Sequence, residues 1–293
     1  MDVNQKLTDF QRVELTRQSY KDLKIGQIIK IDDIFIGRIS KKIYAMDGMR
    51  AFVIRNRINH EYTIIFRGSS GLTKGNPRTW KDEWFDTNMP IFFGLCSLHP
   101  KIPSQLNTAT IFLNGILKEH PTAHFYVYGH SLGAINAEYA LVNCPHPQRI
   151  VRAYLYEGTN IWLLLTRKQR RRAKAIRHKV FSYVDIHDPV TLGITASHRM
   201  IGKLQYVDSK KLKPITQHMW GGYHFDKNGK LFLKDVDSAF LQDAKSERKF
   251  IRKISNLVEY LNRIGQKEAA KKLSRRKNRK LFKMHRRKRK EFK

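Results

Sequence analysis

Ser131 stands midway between two glycines in Phe125-Tyr-Val-Tyr-Gly-His-Ser131-Leu-Gly133-Ala. A serine spaced this way, between an apolar run and a run of small residues, is built for nucleophilic chemistry. Where a strand bends abruptly into a helix, the apex backbone is strained and the two arms come very close. Side chains two positions either side of the apex would collide, so glycine belongs at both. The hydroxyl would then stand above the sheet edge, at a helix N-terminus whose partial positive charge favours an anion. The bland alternative is an ordinary strand-to-helix turn. The flanks argue for the elbow. Ala123 to Tyr128 is apolar and aromatic, as a buried strand should be, and Ala134, Ile135, Ala137, Tyr139, Ala140 and Leu141 suit a helix packed on a sheet.

A serine hydroxyl is a weak nucleophile at neutral pH and needs a base, with a third group to orient that base. In a serine hydrolase with this elbow the partners follow in the order Ser, Asp/Glu, His, each in a loop after a strand. Asp188 in Asp185-Ile-His-Asp188-Pro-Val is the first candidate acid, and Asp185 is its competitor. Either one also fits a turn aspartate capping its own loop. The candidate bases are His218 and His224 in Gln217-His-Met-Trp-Gly-Gly-Tyr-His224-Phe-Asp, with His198 third. An oxyanion hole needs two donors aimed at the developing charge. The N–H of Leu132, just after the nucleophile, is one. Ser69, in the glycine-rich Arg67-Gly-Ser-Ser-Gly71, is the candidate for the other.

These residues require a sheet with helices to carry them. Leu7 to Leu23 reads as a first helix and Ile25 to Ile39 as strands. Arg50 to Arg55 and Glu61 to Phe66 form a hairpin turning at Asn56 to Asn59. A helix over Gln105 to Lys118, the strand before Ser131 and the helix after it follow. Arg149 to Glu157 and Lys179 to Val184 read as strands, with a helix from about Asn160 to His178 between them. Gly202 to Val207 fits an edge strand, and Phe225 to Leu231 a strand-turn-strand. Strands alternating with helices predict an α/β fold with a mainly parallel sheet covered on both faces.

Composition sets the remaining bounds. The 293 residues suffice for one large domain with an appendage, and 41% hydrophobic content for a packed core. Two cysteines, Cys96 and Cys144, make no disulfide framework or metal-ligand spacing, so both read as buried apolar residues. No metal is expected. The polar start Met-Asp-Val-Asn-Gln-Lys has no apolar signal region, and no apolar run is long enough to span a bilayer. The expected placement is cytoplasmic or peripheral to a membrane. The net charge is +32, and residues 245–293 alone carry 21 Lys/Arg against 4 Asp/Glu. A second basic run spans Arg167 to Arg172. Such charge predicts attraction to polyanions, an anionic membrane surface or nucleic acid. The chain divides into a hydrolase-like domain, 1–245, and a basic helical tail, 246–293. In the tail Phe250, Ile251, Ile254, Leu257, Val258 and Leu261 have the spacing of a helix that docks on the domain.

Taken in order, Phe66-Arg-Gly-Ser-Ser70, Trp80-Lys-Asp82-Glu-Trp84, Tyr128-Gly-His-Ser-Leu-Gly133 and Asp188-Pro-Val190 resemble the lipase class 3 family of α/β-hydrolases. The likeness spans about Tyr20 to Leu231. It implies the α/β-hydrolase fold and hydrolysis of carboxylic esters of lipids or small molecules without a cofactor. It also implies Ser131 as nucleophile, Asp188 as acid, and Ser69 and Leu132 at the oxyanion hole. In the bacterial lipase-like branch a histidine opens a segment ending Phe-Asp-x-x-Gly. Phe225, Asp226 and Gly229 fit that pattern and favour His218 over His224. In lipases of this type a lid often lies between the oxyanion loop and the elbow. The apolar Asn88 to Leu98, with Ile91, Phe92, Phe93 and Leu95, falls in that interval. The competing functional class is a weak or inactive hydrolase scaffold whose basic tail binds nucleic acid or anionic membranes.

Overall fold

The computed structural model describes residues 2–69, 102–188, 190–191, 199–235 and 238–276. The expected lid, the Trp80 to Trp84 motif, Cys96, Pro189, His198 and the last seventeen residues lie outside them.

Eight strands form one sheet in chain order: β1 (Ile28–Ile31), β2 (Ile34–Tyr44), β3 (Arg50–Asn56), β4 (Glu61–Phe66), β5 (His124–His130), β6 (Ile150–Tyr156), β7 (Val180–Asp185) and β8 (Lys203–Val207). The first four pair antiparallel, and β4 to β8 pair parallel. The change follows from connection length. β3 and β4 are joined by a tight turn, whereas β4 and β5 are separated by a long crossover that includes a helix. All five parallel strands therefore end at the same edge, where Phe66, His130, Tyr156, Asp185 and Val207 close them. Every residue of β4 is buried, as is β5 beyond its first residue. That accounts for their nearly continuous apolar sequence.

Two layers cover the sheet. On one face lie α3 (Ser104–Glu119) and α4 (Leu132–Val142). They bury Leu106, Ala109, Leu113, Ala134, Ala137 and Leu141 with Val53, Ile64 and Val127. The other face carries a row of tyrosines at alternate strand positions. Tyr128 stacks on Tyr154 at 5.3 Å between centroids, and Tyr156 on Tyr183 at 5.0 Å. The N-terminal helices α1 (Val3–Lys6) and α2 (Asp9–Arg17) cap this face. The Tyr126 and Tyr128 hydroxyls donate to Asp2 Oδ2 at 2.7 Å and Asn4 Oδ1 at 2.6 Å, and Arg12 lies over Tyr154. Buried phenols keep polar partners in this way. This is an α/β architecture, a sheet parallel from β4 to β8 with helices on both faces.

Two elements depart from expectation. The helix expected over Leu7 to Leu23 begins at Asp9, because Thr8 and Gln11 form a capping box, and it tightens into a 3-10 turn at Gln18–Tyr20. The long helix expected over Asn160 to His178 is a 3-10 turn, Trp162–Leu164, followed by α5 (Arg167–Ala175). There Thr166 and Gln169 form a second capping box, which starts a new helix instead of continuing an old one. The C-terminal helix α7 (Ser238–Arg263) is continuous across residue 245, and Leu257, Tyr260 and Ile264 on or just past it are exposed. Between them lies the short helix α6 (Pro214–His218). Cys144 is buried, as its reading as an apolar residue requires.

Candidate active site

Ser131 occupies the bend between β5 and α4 with φ 55° and ψ −126°, outside the regions open to ordinary residues. Its N–H donates to the Tyr156 carbonyl at 2.9 Å, which fixes the bend on the neighbouring strand. The two glycines are there for steric reasons. A Cβ on Gly129 would lie 2.6 Å from the Gly133 carbonyl oxygen and 2.8 Å from Ala134. One on Gly133 would run into the Phe66 carbonyl and come within 2.7 Å of Arg67. An ordinary turn imposes neither constraint.

Leu132 is the first residue of α4, a position whose N–H has no acceptor within the helix. Gly68 brings the loop after β4 against the elbow. A Cβ there would lie 2.8 Å from the His130 carbonyl and 3.2 Å from Ser131 Cβ. Ser69 is the next residue of that loop.

Asp188 and His218 meet. His218 Nδ1 donates to Asp188 Oδ2 at 2.6 Å, and both side chains are fully buried. A carboxylate only accepts, so Nδ1 carries a proton, and in the neutral ring the lone pair is on Nε2. Asp188 Oδ1 accepts from the Val190 N–H at 2.7 Å, and the Thr191 hydroxyl donates to the Asp188 and Asp185 carbonyls. His218 lies beside the elbow. The ring of His130, the residue before Ser131, is 4.7 Å from the His218 ring, and His130 Nε2 donates to the His218 carbonyl at 2.8 Å.

The alternative acid and base have other partners. Among the described residues no hydrogen bond joins the Asp185 carboxylate to a histidine side chain. Its Oδ1 accepts from the His187 N–H at 2.7 Å and the Ser209 hydroxyl at 2.5 Å, while its Oδ2 accepts from the Gln217 amide. It braces the residue before His218. Burial pushes its carboxyl up to about 6, and the hydrogen bonds from Ser209 and Gln217 pull the other way. His224 lies on the closing turn, where its carbonyl accepts from Phe232, and its Nε2 has no hydrogen-bond partner among the described residues. Phe225 and Leu231 bridge there as expected.

Several residues of the site were not singled out from the sequence. Glu157, fully buried at φ 52°, accepts from the Asp185 N–H and from the Tyr223 hydroxyl. Burial first, then the nearby Asp188 and Asp185, pushes its carboxyl well up. His130 packs against His218, and Tyr20 and Trp220 pack against His130. Only His130 carried a usable signal, its place next to the serine. The others converge from separate stretches of chain.

Comparison with protein-family models finds no match, and comparison with curated proteins finds none either. Among solved structures the chain is similar to a fungal lipase, at 14% identity over 81% of this chain and 87% of that one, with a TM-score of 0.45. It is similar to the Rhizomucor miehei lipase in complex with its propeptide, at 14% identity over 68% and 67%, with a TM-score of 0.43. It is similar also to a triacylglycerol lipase of Penicillium expansum, at 15% identity over 69% and 79%, with a TM-score of 0.42. These likenesses say nothing of the chemistry of the site.

Proposed function

We propose that this protein is a serine carboxylic ester hydrolase acting on lipid esters. Ser131 is the nucleophile, His218 the base and Asp188 the group that orients it. His218 Nε2 takes the hydroxyl proton as Ser131 attacks the ester carbonyl. The N–H groups of Ser69 and Leu132 hold the tetrahedral oxyanion. The histidine then protonates the leaving alcohol, and water, deprotonated by the same histidine, releases the acid from the acyl-enzyme. The mechanism calls for no cofactor.

One observation carries this reading: a fully buried Asp188–His218 pair at 2.6 Å, whose imidazole lies 4.7 Å, ring to ring, from His130, the residue before a serine in a strained bend at the C-terminal edge of a parallel sheet. A histidine fixed only for structure would not require the neighbouring serine to sit at a positive φ. The basic tail, 246–293, would hold the enzyme peripherally against anionic membrane surfaces, where lipid esters reside. Selective affinity for duplex DNA would replace that role.

The test is labelling with a fluorophosphonate probe and mapping of the adduct, together with a profile of fatty acids released from a lipid extract. The reading expects the adduct on Ser131 and release that Ser131→Ala abolishes. Labelling elsewhere, or Ser131→Ala protein that hydrolyses esters at the wild-type rate, overturns it.

A further inference from the structure

His130 is fully buried, precedes the nucleophile, and takes no part in the proton transfers described above. Its ring is committed at both nitrogens. The Tyr20 hydroxyl lies 2.6 Å from Nδ1, and the His218 carbonyl 2.8 Å from Nε2. A carbonyl can only accept, so Nε2 bears the proton and Nδ1 accepts from Tyr20. Both contacts are satisfied by one tautomer of a neutral imidazole. Trp220 stacks against the ring at 3.8 Å between centroids and is itself buried. The far end of the chain of contacts reaches the oxyanion loop. The Gly68 backbone N–H lies against the Tyr20 oxygen, and a Cβ at Gly68 would collide with it.

The result is a continuous line from the Gly68 loop through Tyr20 and His130 to the backbone of His218. It joins, through three side-chain and backbone contacts, the loop bearing one oxyanion donor, the nucleophile elbow and the catalytic base. None of the segments it connects is close to another in sequence except the elbow itself. His218 ends a five-residue helix, too short to be held by its own backbone bonds. Asp188 holds the imidazole and Asp185 holds Gln217, but the His218 main chain receives a side-chain donor from His130.

We propose that Tyr20 and His130 form a neutral hydrogen-bonded strut that sets the position of the His218 main chain, and so of its imidazole, relative to Ser131. Both are positioning residues for the hydrolysis proposed above, and the inference rests on that reading. Neutrality matters as well as shape. The charged and titratable groups facing His130 are His218, Tyr20 and Arg17, the last lying over the Trp220 ring at 5.4 Å. During turnover His218 becomes an imidazolium. A second cation on the adjoining ring would oppose that step, and no carboxylate faces His130 to offset it among the described residues. Burial first, then His218, keeps the His130 imidazole well below its ordinary range.

The experiment measures steady-state hydrolysis of a soluble p-nitrophenyl ester, and the rate of fluorophosphonate labelling, across pH for four proteins. These are wild type, Tyr20→Phe, His130→Leu and His130→Gln. A misplacement of about an ångström costs on the order of 10²-fold in rate. The expected result for His130→Leu is a kcat lower by roughly 30- to 100-fold, with KM within about twofold and a matching fall in labelling rate. His130→Gln, which keeps a donor toward the His218 carbonyl and an acceptor toward Tyr20, restores most of the loss. Tyr20→Phe lowers kcat by about tenfold and moves the acidic limb of the kcat profile, because His130 Nδ1 loses its donor. If His130→Leu does not fold, Tyr20→Phe decides. Wild-type kcat and pH profile in folded Tyr20→Phe, or His130→Gln no better than His130→Leu, overturns the strut while leaving the hydrolase reading intact. A wild-type protein that neither labels nor hydrolyses overturns both.

Discussion

The edge around Ser131 and the C-terminal helix α7 treat charge and polarity in opposite ways. At the edge, Glu157, Asp185, Asp188, His130 and His218 are buried, and each is tied to named partners from other segments. On α7 Lys249, Lys253 and Arg263 are exposed, Arg263 pairing along the helix with Glu259 at 2.7 Å, and Leu257 and Tyr260 are exposed beside them. Buried polar groups are costly unless each is satisfied, so such a cluster persists only where the surrounding fold over-determines it. Solvated charges cost little and specify little. Solvated charge of this kind therefore constrains the fold little, whereas a handful of desolvated groups depends on it.

Substitutions at the edge should break the molecule's chemistry or its fold, and changes in the tail should break neither. The largest effect is expected from Ser131→Ala, which should lower ester hydrolysis by about 10⁴-fold or more with an unchanged melting temperature. His218→Ala should cost a similar factor, and the double variant little beyond either single one. Rates that multiply in the double variant would separate the two residues and sink the shared mechanism.

Gly133→Val comes next. The added side chain meets the Phe66 carbonyl and the Arg67 backbone, so unfolding in urea should show a loss of about 3 kcal/mol or more. Glu157→Leu removes the acceptor of the Tyr223 hydroxyl and of the Asp185 N–H. With two buried donors left unsatisfied, about 2–4 kcal/mol of stability should go, and Glu157→Gln should recover part of it.

A pH titration sharpens the contrast further. His130 is held neutral, below its unfolded range, so the unfolded chain takes up a proton below about pH 6.5 that the folded chain refuses. Stability should therefore fall as pH drops through that value, by up to ~1.4 kcal/mol per pH unit from this group. His130→Leu should flatten the slope. Asp185 acts in the opposite sense. Its carboxyl is raised to about 6, so the folded chain holds the proton more tightly, and its contribution is lost as pH rises from about 4 to about 6. Asp185→Asn should remove that component, as read from urea midpoints between pH 4 and 7.

The smallest effect is expected from truncation after Arg276, which deletes ten Lys/Arg. Stability and kcat on a soluble ester should stay within about 0.5 kcal/mol and twofold. Affinity for anionic vesicles should drop, with a weaker dependence on salt. A collapse of soluble-ester activity on truncation would show that the tail belongs to the catalytic unit after all.

The elbow was the most legible feature, because its constraints are local. Gly129, Ser131 and Gly133 are two residues apart, and the clash that demands them occurs within one turn of chain. Strand placement was legible for a similar reason, since a buried parallel strand needs an unbroken apolar run. The break between Trp162–Leu164 and Arg167–Ala175 was legible too, in the Thr166-x-x-Gln169 capping box, but helical composition on either side obscured it.

The choice between Asp185 and Asp188 was not legible. Both follow the same strand and stand three residues apart, and either could face the crevice. What separates them is Ser209 and Gln217, more than twenty residues downstream, which occupy the Asp185 oxygens. The Tyr20–His130 contact, across 110 residues, was not legible either. Sequence alone determined that a serine would stand on a strained bend above a parallel sheet, because that outcome depends on neighbours along the chain. Which carboxylate and which imidazole join it was decided only in three dimensions, because a hydrogen bond a few ångströms long between distant segments exists only once the sheet has set their register.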